Sequence, residues 1–386
     1  MSSDKQLFST SGSFSSNYEQ EVVCDLLSKA GIQVNGVNSW DIVVSDPRFY
    51  PSVFRQGSLG LGETYMAGFW DSVSPDITLY KLLTADLENQ AKYNLKMVLY
   101  RIKAYLFNRQ SVQQVSRDIH RHYDLGNDLF EAMLDDRMIY SCAYWQGAKT
   151  LEEAQEKKLD LICRKLHLEA GQRLLDIGCG WGGLAGYAAE KYGVEVLGIT
   201  LSEEQAKLAR KRYAHLPVTI ELQDYRDLTG RYDRVVSVGM VEHVGYKNYS
   251  LYMQTVDRVL KNDGIFLLHG IGSNTSMKHT DPWIDRYIFP NGMMPSMQQI
   301  TKAAEGHFVM EDWHSFGNDY EQTLREWRKR FKQAWPSLSA KYGNTFYRMW
   351  NYYLCCSTAS FQAKKNQLWQ IVFSKMGNHR IYQPVR

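Results

Sequence analysis

Downstream of Leu174 the chain alternates short apolar runs with longer amphipathic stretches. The run Leu174–Ile177 reads as a strand, and Leu184–Tyr192 reads as a helix. Strand Val194–Thr200 follows, then a helix from Glu203 to about Ala214 and strands Val218–Leu222 and Arg234–Met240. A helix from Tyr246 to about Leu260 leads into strand Gly264–His269. Alternation of this kind predicts an α/β domain with a doubly wound, mostly parallel sheet and helices on both faces. Ahead of it, a helix from about Asn127 and a charged helix Leu151–Leu166 are expected. Behind it come helix Ser296–Ala304, strand Phe308–Trp313, helices Glu321–Trp335 and Gly343–Ala363, and a closing strand Gln367–Phe373. The stretch Asp281–Gly292, DPWIDRYIFPNG, interrupts the alternation and reads as a lid.

The first third has a different texture. Asn17 is positioned to cap a helix through Ala30, with Gln20 three residues on and Gly31 as its stop. Strand-like pieces follow near Val34 and Ile42–Val44, and the glycines of Gly57–Asp71 suggest close turns in a small α+β module. In Ala91–Asn108, Leu95, Val98, Leu99, Ile102 and Leu106 share one helical face, edged by Lys92, Lys96 and Lys103. A basic, aromatic, amphipathic helix suits an anionic membrane surface; an ordinary packed helix with a solvated edge explains the pattern equally. The expected division is 1–90 for the N-terminal α+β domain, 91–120 for the basic linker helix and 121–386 for the larger domain.

Composition changes this picture little. The 386 residues and 44% hydrophobic content suffice for a full core, and a net charge of +3 does not announce a nucleic-acid binder. Six cysteines, without CxxC or Cys/His spacing, point to reduced thiols in the cytoplasm. No secretory signal, membrane-spanning apolar run or metal constellation is visible.

The chemistry begins at LLDIGCGWGG, Leu174–Gly183. Strand, acid, glycine turn and helix together form a nucleotide-type cofactor site, with Gly178 and Gly180 admitting a ligand close to the backbone. Gly178, Gly180 and Gly183 also satisfy the dinucleotide pattern, which alone is weak. Asp176 favours S-adenosylmethionine, because a carboxylate would repel a pyrophosphate but attract a methionine ammonium. The next strand ends in ITLSEEQ, where Thr200, Ser202 and Gln205 replace the acid that would grip an NAD ribose. At the other strand ends stand Asp224 and Tyr225, Glu242, and His269. A strand-end Glu often caps a helix, and a lone His is often a core group, but their placement together at this edge favours function.

The segments LLDIGCGWGG, GITLSEEQ, LQDYRD, SVGMVEHVG, HGIGS and DPWIDRYIFPNG, preceded by HYDLGNDLF and YSCAYW, resemble the cyclopropane-fatty-acyl-phospholipid synthases and mycolic acid cyclopropane synthases. The likeness runs from about Gly57 to the C-terminus. It implies a class I S-adenosylmethionine-dependent methyltransferase fold, Rossmann-like, with a small N-terminal domain. It also implies transfer of a methylene carbon from S-adenosyl-L-methionine to a cis double bond of an unsaturated phospholipid, forming a cyclopropane ring. The resemblance further implies a bound bicarbonate, held by Cys142 (backbone), Glu242, His269, Ile271 (backbone N–H) and Tyr320. The cofactor contacts it implies are Tyr140 and Ser141, then Leu174, Leu175, Asp176, Ile177, Gly178, Cys179, Gly180, Trp181 and Gly182, then Thr200, Leu201, Ser202 and Gln205, and Tyr225 with Arg226. Where some members carry a late cysteine, Ser357 stands here, just after Cys355 and Cys356, which argues against an essential thiol.

An alkene is a weak nucleophile, so the methyl must be held in line in a dry pocket. The resulting carbocation needs an anion beside it, and a base to take the proton that closes the ring. The expected partners are an anionic phospholipid membrane surface, contacted peripherally on the inner face, and no nucleic acid. A homodimer would let two modules grip one membrane. Simple C- or N-methylation of another lipid or hydrophobic small molecule is the alternative enzyme reading. A non-catalytic membrane-binding protein is disfavoured by the intact glycine turn with Glu242, His269 and Tyr320.

Overall fold

The computed structural model describes residues 11–85, 126–277 and 279–386. The basic segment Ala91–Asn108 and the expected linker 91–120 lie outside the described residues. In chain order the first elements are α1 (Ser11–Lys29), β1 (Val43–Val44), α2 (Phe49–Gln56), α3 (Ser58–Met66), β2 (Trp70–Asp71) and α4 (Pro75–Thr84). Then come α5 (Asn127–Met133), α6 (Leu151–Lys165), β3 (Arg173–Ile177), α7 (Gly183–Tyr192), β4 (Glu195–Thr200), α8 (Glu203–Arg212), β5 (Val218–Leu222), β6 (Tyr232–Val238), α9 (Tyr249–Val259) and β7 (Leu260–Ser273). The chain closes with α10 (Pro282–Tyr287), α11 (Met297–Ala304), β8 (Phe308–Ser315), α12 (Asn318–Gln362) and β9 (Asn366–Lys375).

These elements form two compact units that do not follow the simple sequence order. One takes Leu125–Thr280, Asn291–Ala334 and Lys364–Arg386; the other takes the N-terminal residues together with Asp281–Pro290 and Trp335–Ala363. The larger unit holds a seven-stranded sheet in the order β5-β4-β3-β6-β7-β9-β8. The five strands from β5 to β7 are parallel, and β9 runs antiparallel between β7 and β8. Side chains on a strand alternate between faces. Leu175, Val235 and Phe266 therefore pack on one side with Tyr252, Met253 and Val256 of α9. Their neighbours Leu174, Val236 and Leu267 pack on the other with Leu159 and Ile162 of α6 and Leu184 and Ala188 of α7. Both faces are thus covered, as the doubly wound reading requires, and the carboxyl ends of the parallel strands share one edge.

The smaller unit corrects three expectations. Asn17 does not cap α1, because the helix already runs from Ser11; the stripe of Val23, Leu27 and Ala30 is buried as expected. Gly60 and Gly62 make no turns but lie inside α3. A Cβ at Gly60 would run into the Ser52 carbonyl of α2, and one at Gly62 would enter the ring of Trp283. These glycines set how closely helices approach. The segment expected as a lid is core: Trp283 is 1% exposed and Tyr287 is buried, and the Tyr287 hydroxyl donates to Glu63 Oε1 at 2.8 Å beside Arg286 at 2.7 Å. The two late helices meet at Gly343, where the backbone leaves helical geometry (φ 73°, ψ 166°) as expected, but the first does not stop at Trp335 and continues through Pro336.

Gly62→Val should destabilise the protein by about 1–3 kcal/mol, since Trp283 has no room to withdraw. Trp fluorescence during urea unfolding reads this as a lowered midpoint; an unchanged midpoint would contradict the close α3–Trp283 packing.

Candidate active site

The turn after β3 is built as its glycines suggest. Gly178, Gly180 and Gly182 have φ of 82°, 56° and 77°, while Gly183 opens α7 against the Arg137 carbonyl. The amides of Gly178 and Cys179 both donate to the Ile199 carbonyl on β4, at 3.0 and 2.9 Å, so the turn is tied across the sheet. Leu174, Leu175 and Ile177 are core residues that place Asp176 on β3. Asp176 is 1% exposed, and its Oδ2 has no hydrogen-bond partner. Burial pushes its pKa up to about 7, against the pull of Lys158. An enclosed carboxylate oxygen without a donor, beside a left-handed glycine turn, fits a cationic ligand group such as the methionine ammonium.

On β4, the residues expected at the cofactor are partly occupied with one another. The Thr200 hydroxyl meets Gln205 Oε1 at 2.9 Å, and Ser202 Oγ caps α8 by accepting the Gln205 amide at 3.3 Å. Leu201 projects beyond the strand end with 74% of its surface exposed. After β5, Asp224 and Arg226 form an exposed ion pair at 2.6 Å, and the Tyr225 ring meets Tyr252 edge-on at 5.5 Å.

The loop Tyr140–Trp145 is clamped from two helices. From α6, Gln155 Nε2 donates to the Ser141 carbonyl at 2.9 Å and Lys158 Nζ donates to Ser141 Oγ at 2.8 Å. From the start of α12, Thr323 Oγ1 accepts the Ala143 amide at 3.1 Å and the Trp145 indole N–H at 3.0 Å, and Asp319 accepts the Trp145 amide at 2.7 Å. Rings continue the clamp. Trp181 meets Phe130, Phe130 meets Tyr140, Tyr140 meets Trp327 and Trp327 meets Tyr320, with centroids 4.9, 5.1, 5.2 and 6.0 Å apart. This series joins the glycine turn to Tyr320. The Cys142 thiol is fully buried and pushed well above its ordinary pKa by desolvation, so only its backbone is available for binding.

Glu242 and His269 stand at the ends of adjacent strands. Glu242 lies in the short 3-10 turn after β6, and its carboxylate is enclosed although part of the residue reaches solvent. Its Oε1 accepts the Ile271 amide at 2.6 Å, and its Oε2 has no partner. The Ile271 N–H, expected to face an anion, is therefore engaged by Glu242. Burial raises Glu242 to about 7. His269 on β7 is 1% exposed; burial first, then Lys158 and Lys165, hold its pKa well below the ordinary value, so the ring is neutral. Its Nδ1 lies 3.3 Å from the Gln370 amide nitrogen on β9. With that amide as donor, the ring proton sits on Nε2, which is unpartnered. Phe316 packs edge-on to His269 at 5.9 Å, four residues ahead of Tyr320.

Two functional candidates escape sequence reasoning, Lys158 and Gln370. Lys158 hides among five charged neighbours in EEAQEKKLD, and only its position on the inner face of α6 distinguishes it. Gln370 belongs to the apolar closing strand, where a lone polar residue in LWQIVF was the available signal. The thiols of Cys355 and Cys356 belong to the smaller unit; burial pushes Cys356 up to about 12. Among the described residues no group of His, Cys, Asp and Glu could hold a metal ion. A cleft of about 470 Å³, lined among others by Arg173, Glu195, Thr219, Glu221 and Tyr232, lies along β4 and β5; of the expected site residues it includes only Leu174.

Comparison with known proteins gives this geometry a context. Residues 110–371 match the family described as mycolic acid cyclopropane synthetase. The cyclopropane-fatty-acyl-phospholipid synthase of Escherichia coli (strain K12) is 54% identical over 351 residues, 91% of this chain and 92% of that protein. The tuberculostearic acid methyltransferase of Mycobacterium tuberculosis is 35% identical over 344 residues, 84% of this chain and 80% of that protein. Among solved structures, the cyclopropane synthase MmaA2 from Mycobacterium tuberculosis has a TM-score of 0.63 at 30% identity, covering 67% of this chain and 98% of its own. The mycolic acid cyclopropane synthase CmaA1, complexed with SAH and CTAB, has a TM-score of 0.61 at 31% identity, covering 67% and 97%. The fold is that of the class I S-adenosylmethionine-dependent methyltransferases.

The raised pKa of Glu242 has a consequence for stability. A carboxyl whose pKa is higher folded than unfolded stabilises the protein below the unfolded pKa and loses that contribution as pH rises towards about 7. Glu242→Gln should therefore be more stable than wild type at pH above about 7, by on the order of 2 kcal/mol, with the gap closing as pH falls towards the ordinary carboxylate range. Urea midpoints across that pH range test this. A gap independent of pH would mean that the carboxylate is not desolvated.

Proposed function

The chain belongs to the mycolic acid cyclopropane synthetase family, and from that premise we propose that it cyclopropanates cis double bonds in the acyl chains of bilayer phospholipids. It is an S-adenosylmethionine-dependent methyltransferase. The observation that carries the finer reading is the pair of enclosed, unpartnered atoms Glu242 Oε2 and His269 Nε2 at the ends of neighbouring strands. The name of the Escherichia coli relative, at 54% identity, supports phospholipid as the substrate.

S-adenosylmethionine supplies the activated methyl group. Asp176 binds its ammonium, the turn at Gly178 and Gly180 lets backbone approach, and Leu201 and Tyr225 flank its adenosine end. Bicarbonate fits the second part of the site, where it would supply negative charge beside the carbocation and a base for the ring-closing proton. Glu242 Oε2 accepts the hydrogen bond of its O–H, since two bare anions would repel. His269 donates from Nε2 and stays neutral, so it orients the anion without cancelling its charge. Tyr320 and the Cys142 backbone would be the anion's remaining partners. Ile271 acts one step back, by fixing Glu242. The aromatic series from Trp181 to Tyr320 keeps water from the cation.

The enzyme works peripherally on the inner face of an anionic bilayer, where the basic residues Lys92, Lys96 and Lys103 meet the headgroups and a homodimer offers two such contacts. Among the described residues no helix is long and apolar enough to cross a membrane.

Incubation with S-adenosylmethionine and vesicles of cis-monounsaturated phospholipid should add one CH₂ to the acyl chain and remove its sensitivity to ozonolysis, read by mass spectrometry. Glu242→Gln and His269→Ala should each lower the rate by ~10²–10³. The same mass gain with an ozonolysable alkene retained would instead establish simple methylation. No gain, with cofactor bound, would refute the lipid substrate.

A further inference from the structure

Gln370 is an amide in an otherwise apolar strand, and stability does not account for it. It is fully buried on β9, on the face it shares with Val372. Its side chain has two N–H donors and a carbonyl with two lone pairs. Among the described residues it makes one side-chain hydrogen bond, from Nε2 to His269 Nδ1 at 3.3 Å, and its Oε1 has no partner. A buried carbonyl without a donor carries its full desolvation cost. A Met or Leu of similar volume would avoid that cost.

The sheet sets the contact. His269 and Gln370 are paired in the β7–β9 register, and paired residues lie side by side on one face. On its other flank Gln370 pairs with His314, whose Nδ1 is met by Lys165 Nζ at 3.1 Å. The His269 ring is enclosed, with Phe316 edge-on at 5.9 Å, so bulk water does not choose its tautomer. If the amide nitrogen faces the ring, Nδ1 accepts and the ring proton sits on Nε2. If the carbonyl oxygen faced it, Nδ1 would carry the proton and Nε2 would be a bare lone pair.

The difference decides what the site can hold. Glu242 Oε2 is an enclosed acceptor without a partner, and its Oε1 is held on the Ile271 amide, two residues after His269. One acceptor with one donor suits an oxyanion that carries a single hydroxyl. Two acceptors would repel it. We propose that Gln370 is a positioning residue: its amide N–H, held against His269 Nδ1 by the sheet register, keeps the ring proton on Nε2 and so fits the site to a hydroxyl-bearing oxyanion. Its use in the reaction rests on the reading of His269 as a donor to bicarbonate. An amide does this without adding charge beside the anion.

The test is the ring-nitrogen NMR spectrum of the full chain, isotopically labelled at histidine, with the His269 signals identified by their loss in His269→Ala. It is read beside the bicarbonate dependence of the rate in CO₂-depleted buffer. Wild type should carry the His269 proton on Nε2. Gln370→Met, similar in shape but without a donor, should populate the Nδ1–H form and raise the bicarbonate concentration for half-maximal rate by about tenfold, the scale of one hydrogen bond to a charged group. Gln370→Leu should do the same, which covers a folding failure of the Met variant. In the His269→Ala background Gln370→Met should cost no further activity, because its effect passes through the ring, whereas a structural lesion would add its own loss. A wild-type proton on Nδ1, a tautomer unchanged in both Gln370 variants, or an additive loss in the double variant overturns the proposal. A tautomer that shifts while the bicarbonate dependence stays as in wild type supports the assignment to Gln370 and overturns instead the reading of His269 as the anion's donor.

Discussion

Asp176, Glu242 and His269 are ionisable groups kept from water at one edge of a parallel sheet, and much of the larger unit serves that dehydration. Burial drives each towards its neutral form. The penalty is tolerable because the strands that carry them are anchored in apolar layers on both faces, with Leu175, Val235 and Phe266 on one side and Leu174, Val236 and Leu267 on the other. Sheet register then fixes where the polar tips emerge: Val238 pairs with His269, and His269 with Gln370. A slip of one residue would turn His269 to the opposite face.

Dehydration also demands a wall that does not breathe. The loop Tyr140–Trp145 has no regular structure of its own, yet donors and acceptors from α6 and α12 satisfy its backbone and side chains. The rings from Trp181 to Tyr320 fill the volume behind it. A loop held this way behaves as part of the core, and it presents the Cys142 backbone without relying on its thiol.

The parallel sheet, its helices and the glycine turn were legible because they obey local rules: apolar runs of strand length, 3.6-residue periodicity, and an acid followed by glycines. Asp176, Glu242 and His269 were legible because topology places strand ends together. Lys158 was not, because a lysine in a charged helix looks solvated until the helix is packed. Gly60, Gly62 and Trp283 misled for a related reason. Glycine marks a turn only when its neighbours leave it free to be one, and here distant residues fill the space above α3. The Pro-bearing aromatic segment around Trp283 resembled a lid since nothing local reveals that its rings have a core to enter. Pro336 likewise signals a helix end that the surrounding packing overrides.

The placement of β9 makes one site residue depend on the latest strand of the sheet. This strand is made after β7 and β8 and must insert between them, antiparallel to both. It brings Gln370, the partner that sets the tautomer of His269. During synthesis the glycine turn and the strands around it emerge first, while the histidine still lacks its partner. The orientation of His269 is thus a property of the completed sheet, fixed only once its latest strand has closed, and not of the glycine turn and the strands around it.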